Sequence, residues 1–123
     1  MKKKGLVVMM TEKTPYVISF ANQKGGVGKT TCAVNVAAGI AALGKRVLIV
    51  DIDPQGNATS GIGIKKRSIT GSVYDLLIGR MKWEEAALKT GIRNLSIIPS
   101  SMNLVGAELE LVDENDREYK LKK

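Results

Sequence analysis

The segment Lys24-Gly25-Gly26-Val27-Gly28-Lys29-Thr30-Thr31 constrains this chain more than any other. It follows Tyr16-Val17-Ile18-Ser19-Phe20-Ala21, a short β-branched and aromatic run that predicts a buried strand. It leads into a helix from Lys29 to about Leu43, where Ala33, Val36, Ala37, Ile40 and Ala41 recur at helical spacing. Gly44 then supplies the left-handed stop. Strand, glycine-rich loop and helix in this order make a phosphate-binding loop. Glycines let successive backbone N–H groups curl inward toward phosphate oxygens, and the helix adds the positive end of its dipole. In such a loop Lys29 reaches the β- and γ-phosphates, the Thr30 hydroxyl ligates Mg²⁺ and Thr31 bonds the α-phosphate. Gly25, Gly26, Val27 and Gly28 supply the cradle.

A second strand is predicted over Arg46-Val47-Leu48-Ile49-Val50-Asp51-Ile52-Asp53. Its unbroken apolar run implies burial on both faces, as in a parallel sheet. Strand, helix and strand form a βαβ unit. Further on, Asp51–Ile64 reads as an irregular loop with room for one helical turn. Ser72–Ile78 reads as a short helix capped by Thr70 or Ser72. Trp83–Lys89 reads as another helix, Leu95–Ile98 as a third strand ended by Pro99, and a last helix starts near Asn103 with Leu104, Val105, Leu109 and Val112 on its apolar stripe. The fold class is α/β: three layers, α/β/α, around a mostly parallel sheet. Residues 1–14 are assigned to an N-terminal extension and 15–123 to the domain.

With 44% hydrophobic and 25% charged residues, the composition excludes a wholly disordered chain. Cys32, the only cysteine, excludes an internal disulfide and a cysteine-based zinc site. The apolar run Gly5–Met10 is too short for a signal peptide, and no segment is long enough to span a bilayer, so a cytoplasmic location is expected. A start at Met9 or Met10 is a further expectation, since Lys3-Lys4-Gly5 is encodable by a purine-rich run of the kind that precedes a start codon. The net charge of +7 gathers at Lys2–Lys4, Lys65–Arg67 and Arg117–Lys123, which permits nucleic-acid attraction and fits a solvated surface equally well.

Two aspartates, Asp51 and Asp53, stand at the carboxyl end of the second strand, where open α/β sheets place their ligands. Taken alone, two aspartates at a strand end are more often turn or capping residues. Beside Lys29 and Thr30 in one βαβ unit, they are candidates for Mg²⁺ or its water. The loop departs from the generic pattern, which has glycine where Gln23 stands, and it carries a second lysine, Lys24. The pair Lys24 and Lys29 resembles the deviant phosphate loop of the ParA/MinD group of P-loop ATPases. The string Asp51-Ile52-Asp53-Pro54-Gln55-Gly56-Asn57, with Ala21-Asn22-Gln23 and Leu104–Glu110, resembles the ParA/Soj partition branch within that group.

That resemblance implies a P-loop NTPase fold and an ATPase using ATP and Mg²⁺ for chromosome or plasmid partitioning. It implies an ATP-dependent homodimer in which Lys24 acts in trans on the partner's nucleotide. Catalysis would fall to Lys24, Lys29 and Asp53, with Asp53 orienting the attacking water. The metal would be served by Thr30, Asp51 and Asp53, with Asp51 holding a metal-bound water. A DNA-bound ParB-like partner and nonspecific DNA are implied, with nucleoid association and no membrane. The family's Walker B strand, expected between the two strands above, has no counterpart before Lys123, so the chain is expected to be truncated there, to leave sheet edges unpaired and to hydrolyse ATP poorly alone. The alternatives are an inactive nucleotide-binding regulator and a MinD-like membrane-cycling ATPase.

Overall fold

A computed structural model describes residues 5–11, 15–21 and 28–110. Five strands form one sheet: β1 (Gly5–Thr11), β2 (Tyr16–Ala21), β3 (Arg46–Asp51), β4 (Leu88–Lys89) and β5 (Leu95–Ile98), in the spatial order β2-β1-β3-β5-β4. Among the described residues, five α-helices accompany them: α1 (Lys29–Ala42), α2 (Asn57–Gly61), α3 (Val73–Leu77), α4 (Trp83–Ala86) and α5 (Leu104–Glu110), with a short 3-10 turn at Lys66–Ser68.

The three-layer arrangement follows from the alternation along the central strands. Val47 and Ile49 of β3, with Leu95 and Ile97 of β5, pack beneath Ala33, Ala37 and Ala41 of α1. Val50 and Ile98 face the other way, against Val73 of α3, Ala86 of α4, and Leu104 and Ala107 of α5. Both faces of β3 are therefore buried, as its apolar run predicted. Three alanines on the inner stripe of α1 let the helix lie close to the sheet. Gly44 takes the left-handed conformation predicted for it, φ 85°, and its N–H donates to Ala41 O at 2.9 Å.

Three expectations change. The sheet is mixed, not mostly parallel: only β3 and β5 pair in parallel, while β1 runs antiparallel to both β2 and β3, and β4 antiparallel to β5. The cause is β1, a strand from the segment assigned as an extension, which enters the sheet between β2 and β3 in the opposite direction. It also supplies backbone partners to both neighbours, so the edges expected to stay open are paired. Second, β2 is an edge strand, not a buried one. Phe20 packs against the α1 layer, but Tyr16 is 65% and Val17 59% exposed. Third, the segment Trp83–Lys89 is not one helix. It stops at Ala86 because Ala87 turns extended, and Leu88 and Lys89 then join β5. In α5, Leu104 is buried as expected, while Val105 is 61% exposed and points away from the core. No helix among the described residues is long and apolar enough to cross a membrane.

Candidate nucleotide site

Because β2 and β3 both run antiparallel to β1, they run parallel to each other. The carboxyl end of β2, which leads to the phosphate loop, and that of β3, which carries Asp51 and Asp53, therefore lie at one edge of the sheet. Register places Ala21 opposite Gly5, and Asp51 opposite Leu6, on the two sides of β1.

At this edge α1 begins at Lys29 with Gly28 as its N-cap. Gly28 sits at φ 77°, a left-handed conformation that a side chain would strain, and its carbonyl accepts the Cys32 N–H at 2.8 Å. It has no side chain to cap the helix, and no acidic residue occupies the first turn. The N–H groups that open a helix need partners, and a helix start of this kind, with a glycine N-cap and no acidic first turn, suits an anion. Lys29 and Thr30 are half-buried and Thr31 is exposed. Lys24, Gly25, Gly26 and Val27 lie outside the described residues.

The aspartate loop is built from inside. Asp51 is fully buried. Its Oδ2 accepts the Thr59 N–H at 2.9 Å and the Thr59 hydroxyl at 2.6 Å, and its Oδ1 accepts the Asp53 N–H at 3.2 Å. Burial pushes the Asp51 carboxyl above the ordinary aspartate value of 3.8; the Thr59 bonds and the Asp53 N–H oppose that rise, and the Asp53 charge adds to it. Thr59 in turn accepts the Ser100 N–H on its Oγ1 at 3.1 Å. The Ser100 hydroxyl donates to the Asp53 carbonyl. Asp53, only 8% exposed, accepts the Gln55 N–H on its Oδ1 at 3.1 Å, and its carbonyl also takes the Gly56 N–H at 2.8 Å. The loop is thus tied to strand β3 by Asp51 and to the end of β5 by Ser100. Ala58 of α2 joins Ala33 and Ala37 in the core, which seats the same loop against the phosphate-loop helix.

Thr59 and Ser100 are the site residues that sequence reasoning did not single out. The available signal was weak: a threonine eight residues after a buried aspartate, and a serine just past the carboxyl end of a parallel strand. Among the described residues, no three His, Cys, Asp or Glu side chains gather into a metal-binding group. One hydroxyl and one or two carboxylates beside a phosphate site are nevertheless the donor set that magnesium takes, because it keeps several waters. An open cleft of about 700 Å³ adjoins the aspartate loop, between Gln55, Ser60, Ser72 and Ser101; Gly28–Thr31 do not line it.

Comparison with known proteins places these features in a family. The AAA domain family matches residues 15–123. The sporulation initiation inhibitor protein Soj of Bacillus subtilis is 51% identical over 107 residues, 87% of this chain and 42% of its own length. The chromosome partitioning protein ParA of Myxococcus xanthus is 48% identical over 106 residues, 86% of this chain and 38% of its own. Among solved structures, cobyrinic acid a,c-diamide synthase from Mycobacterium smegmatis, crystallised with an ATP analogue and magnesium, superimposes with a TM-score of 0.76 at 38% identity, covering 83% of this chain and 41% of that one. The chain spans about two-fifths of the length of the curated relatives it matches. Since the matched residues include both the α1 start and the Asp51–Asp53 loop, the chain belongs to the AAA domain family, in its ParA/Soj group.

Proposed function

We propose that the chain binds ATP with Mg²⁺ at residues 24–31 and forms the nucleotide-binding part of a chromosome- or plasmid-partition ATPase. The observation that carries this reading is the glycine-capped start of α1, with no acidic residue in its first turn, at the same end of the sheet as the buried Asp51–Asp53 loop. The relatives' names and the nucleotide-bound neighbour support it.

In this reading the amides of Gly25–Thr31 hold the phosphates, Lys29 sits by the β- and γ-phosphates and Thr31 by the α-phosphate. Thr30 offers its hydroxyl to the metal. Bound Mg²⁺ neutralises charge that builds on the phosphate oxygens. Asp53 orients the attacking water, and its backbone is fixed for that task by Ser100 and Gly56. Asp51 accepts three of the about four hydrogen bonds a carboxylate can take, and its remaining acceptor position is the one a metal-bound water would use. Lys24 acts in trans, so that ATP binding and dimerisation are coupled. Nonspecific DNA and a DNA-bound ParB-like protein are the expected partners, at the nucleoid. The exposed run Lys65, Lys66 and Arg67 adds local positive charge for the former.

Titration with a fluorescent ATP analogue in the presence of Mg²⁺ tests the reading. Binding by this chain is expected, with loss of about tenfold or more in affinity for Lys29→Ala, since a charged phosphate contact is worth more than 1.4 kcal/mol. Asp53→Ala is expected to keep binding and to lower whatever turnover a dimer shows by about a hundredfold. Equal binding by Lys29→Ala and the unmodified chain would refute the site. An Asp53→Ala chain with undiminished biological effect would favour the non-enzymatic regulator.

A further inference from the structure

The cleft of about 700 Å³ beside the aspartate loop has a chemistry that the nucleotide site does not use. Gln55 and Ser60 line it from the aspartate-loop side, and Ser100 and Ser101 from the end of β5. Lys66 and Thr70 also line it, and both are exposed. Lys66 stands in the exposed run Lys65-Lys66-Arg67, and among the described residues no ion pair joins that run to a carboxylate. Like charges this close repel one another and attract an anion. Asp75 is the one acidic residue of the lining. Its Oδ2 already accepts the N–H and hydroxyl of Ser72, and its Oδ1 meets Arg80 at 3.4 Å. The Ser101 oxygen accepts the Asn103 N–H at 3.2 Å, which leaves its own proton to donate into the cleft. The cationic turn is held firmly. The Ser68 N–H donates to Lys65 O at 2.9 Å and the Ile69 N–H to Lys66 O at 3.1 Å. Just before it, the Ile64 N–H donates to Thr59 O at 3.2 Å, and Ile64 packs against the α1 core. Thr59 is also the anchor of Asp51, so the cations and the aspartates are built on one frame.

We infer that this cleft is a second phosphate site, separate from residues 24–31, in which Lys66, Thr70 and Ser101 hold inorganic phosphate. The source of the ion is the hydrolysis proposed above, and for that source the site rests on the proposed ATPase function. Hydrolysis joins the oxygen of water to the γ-phosphorus, breaks the bond from that phosphorus to ADP, and releases a proton with the phosphate. The attack is in line, so the water enters on the side of the phosphorus away from ADP. Asp53, which orients that water, stands on the same side. The freed phosphate therefore moves toward the loop of Asp53, whose next residues, Pro54, Gln55 and Gly56, border the cleft. A lysine and hydroxyl donors then replace part of the ion's hydration.

Binding of phosphate requires no turnover, so the site and the ATPase function fail separately. The test is an NMR titration of the isotope-labelled chain with sodium phosphate, at an ionic strength held constant with sodium chloride. It is run on the Lys29→Ala chain, in which the phosphate loop lacks its main cation. Saturable shifts of the Ser60, Thr70 and Ser101 amides are expected, with a dissociation constant of about 1–10 mM, the range that two charge-assisted hydrogen bonds supply. Adding Lys66→Ala is expected to weaken binding about tenfold, and Thr70→Val about threefold. Lys65→Ala removes the same charge from a residue that does not line the cleft, and is expected to weaken binding no more than about twofold. These side chains are exposed, so the rest of the spectrum should be unchanged. Absence of saturable shifts overturns the inference. Equal losses in Lys65→Ala and Lys66→Ala also overturn it, since they mark a diffuse effect of charge. A short DNA duplex that shifts these amides where phosphate does not would assign the cations to a nucleic-acid backbone, and overturns it as well.

Discussion

Thr59 makes three bonds at one buried point: its N–H and hydroxyl donate to Asp51, and its Oγ1 accepts from the Ser100 N–H. Thr59→Val keeps the volume and the backbone donor but removes the hydroxyl. The Asp51 carboxylate then loses its shortest contact, and the Ser100 N–H is left buried without an acceptor. Each such loss costs about 1–3 kcal/mol, so a drop of about 2–4 kcal/mol in unfolding free energy is expected from urea denaturation. Thr59→Ser restores the hydroxyl and should recover most of it. If valine and serine prove equal, the hydroxyl is not what holds the loop. The outcome bears on the proposed function, because Asp51 and Ser100, which Thr59 bonds, hold the backbone N–H and carbonyl of Asp53. Sequence reading found both aspartates but not their anchor. A carboxylate at a strand end announces itself beside a phosphate loop. A threonine and a serine forty-one residues apart have no periodicity or spacing to join them, and only the parallel pairing of β3 with β5 brings them together.

Helix α3 shows what local chemistry can and cannot fix. Asp75 Oδ2 accepts both the N–H and the hydroxyl of Ser72, and the Val73 N–H donates to Pro99 O at 2.9 Å. The start of this five-residue helix is therefore pinned twice, by its own capping box and by the end of β5. Asp75 also meets Arg80 at 3.4 Å, but Arg80 is largely exposed. Asp75→Ala is expected to cost about 1 kcal/mol through the cap, whereas Arg80→Ala should cost no more than a few tenths. Paired thermal melts of the two variants separate the contributions, and equal losses would move the credit to the ion pair. The cap was legible in part: Thr70 and Ser72 were both candidates, and the structure gives Ser72, with Asp75 completing the box. The end of the Trp83 helix was not. Nothing within Trp83–Lys89 forbids another turn, and it is the open edge of β5 that draws Leu88 and Lys89 into a strand.

At the scale of the molecule, the α1 layer and the α3–α5 layer are two cores separated by one sheet. The layers were readable from the helical spacing of the alanines and the double-sided burial of β3. The strand order was not, because a sequence pattern tells a strand from a helix without telling which neighbour it will choose. Ile97 and Ile98 sit on opposite faces of β5 and are 0% and 2% exposed. They are adjacent in the chain, yet each belongs to a different core. Truncating either to alanine opens a cavity in its own layer, at about 2–4 kcal/mol. If the sheet couples the layers into one cooperative unit, Ile97→Ala and Ile98→Ala should each lower the urea midpoint with an unchanged slope and a single transition. Tyr74 reports the α3–α5 side, against which it packs, and a hydrogen-exchange probe in α1 reports the other. Coincident curves from both probes, in both variants, mean that β3 and β5 transmit the loss across the sheet. Curves that separate, with α1 melting first in Ile97→Ala and α3 first in Ile98→Ala, would mean that the two layers are independent. The phosphate-loop helix would then be free to open while the loop carrying Asp53 stayed tied to β5 through Ser100.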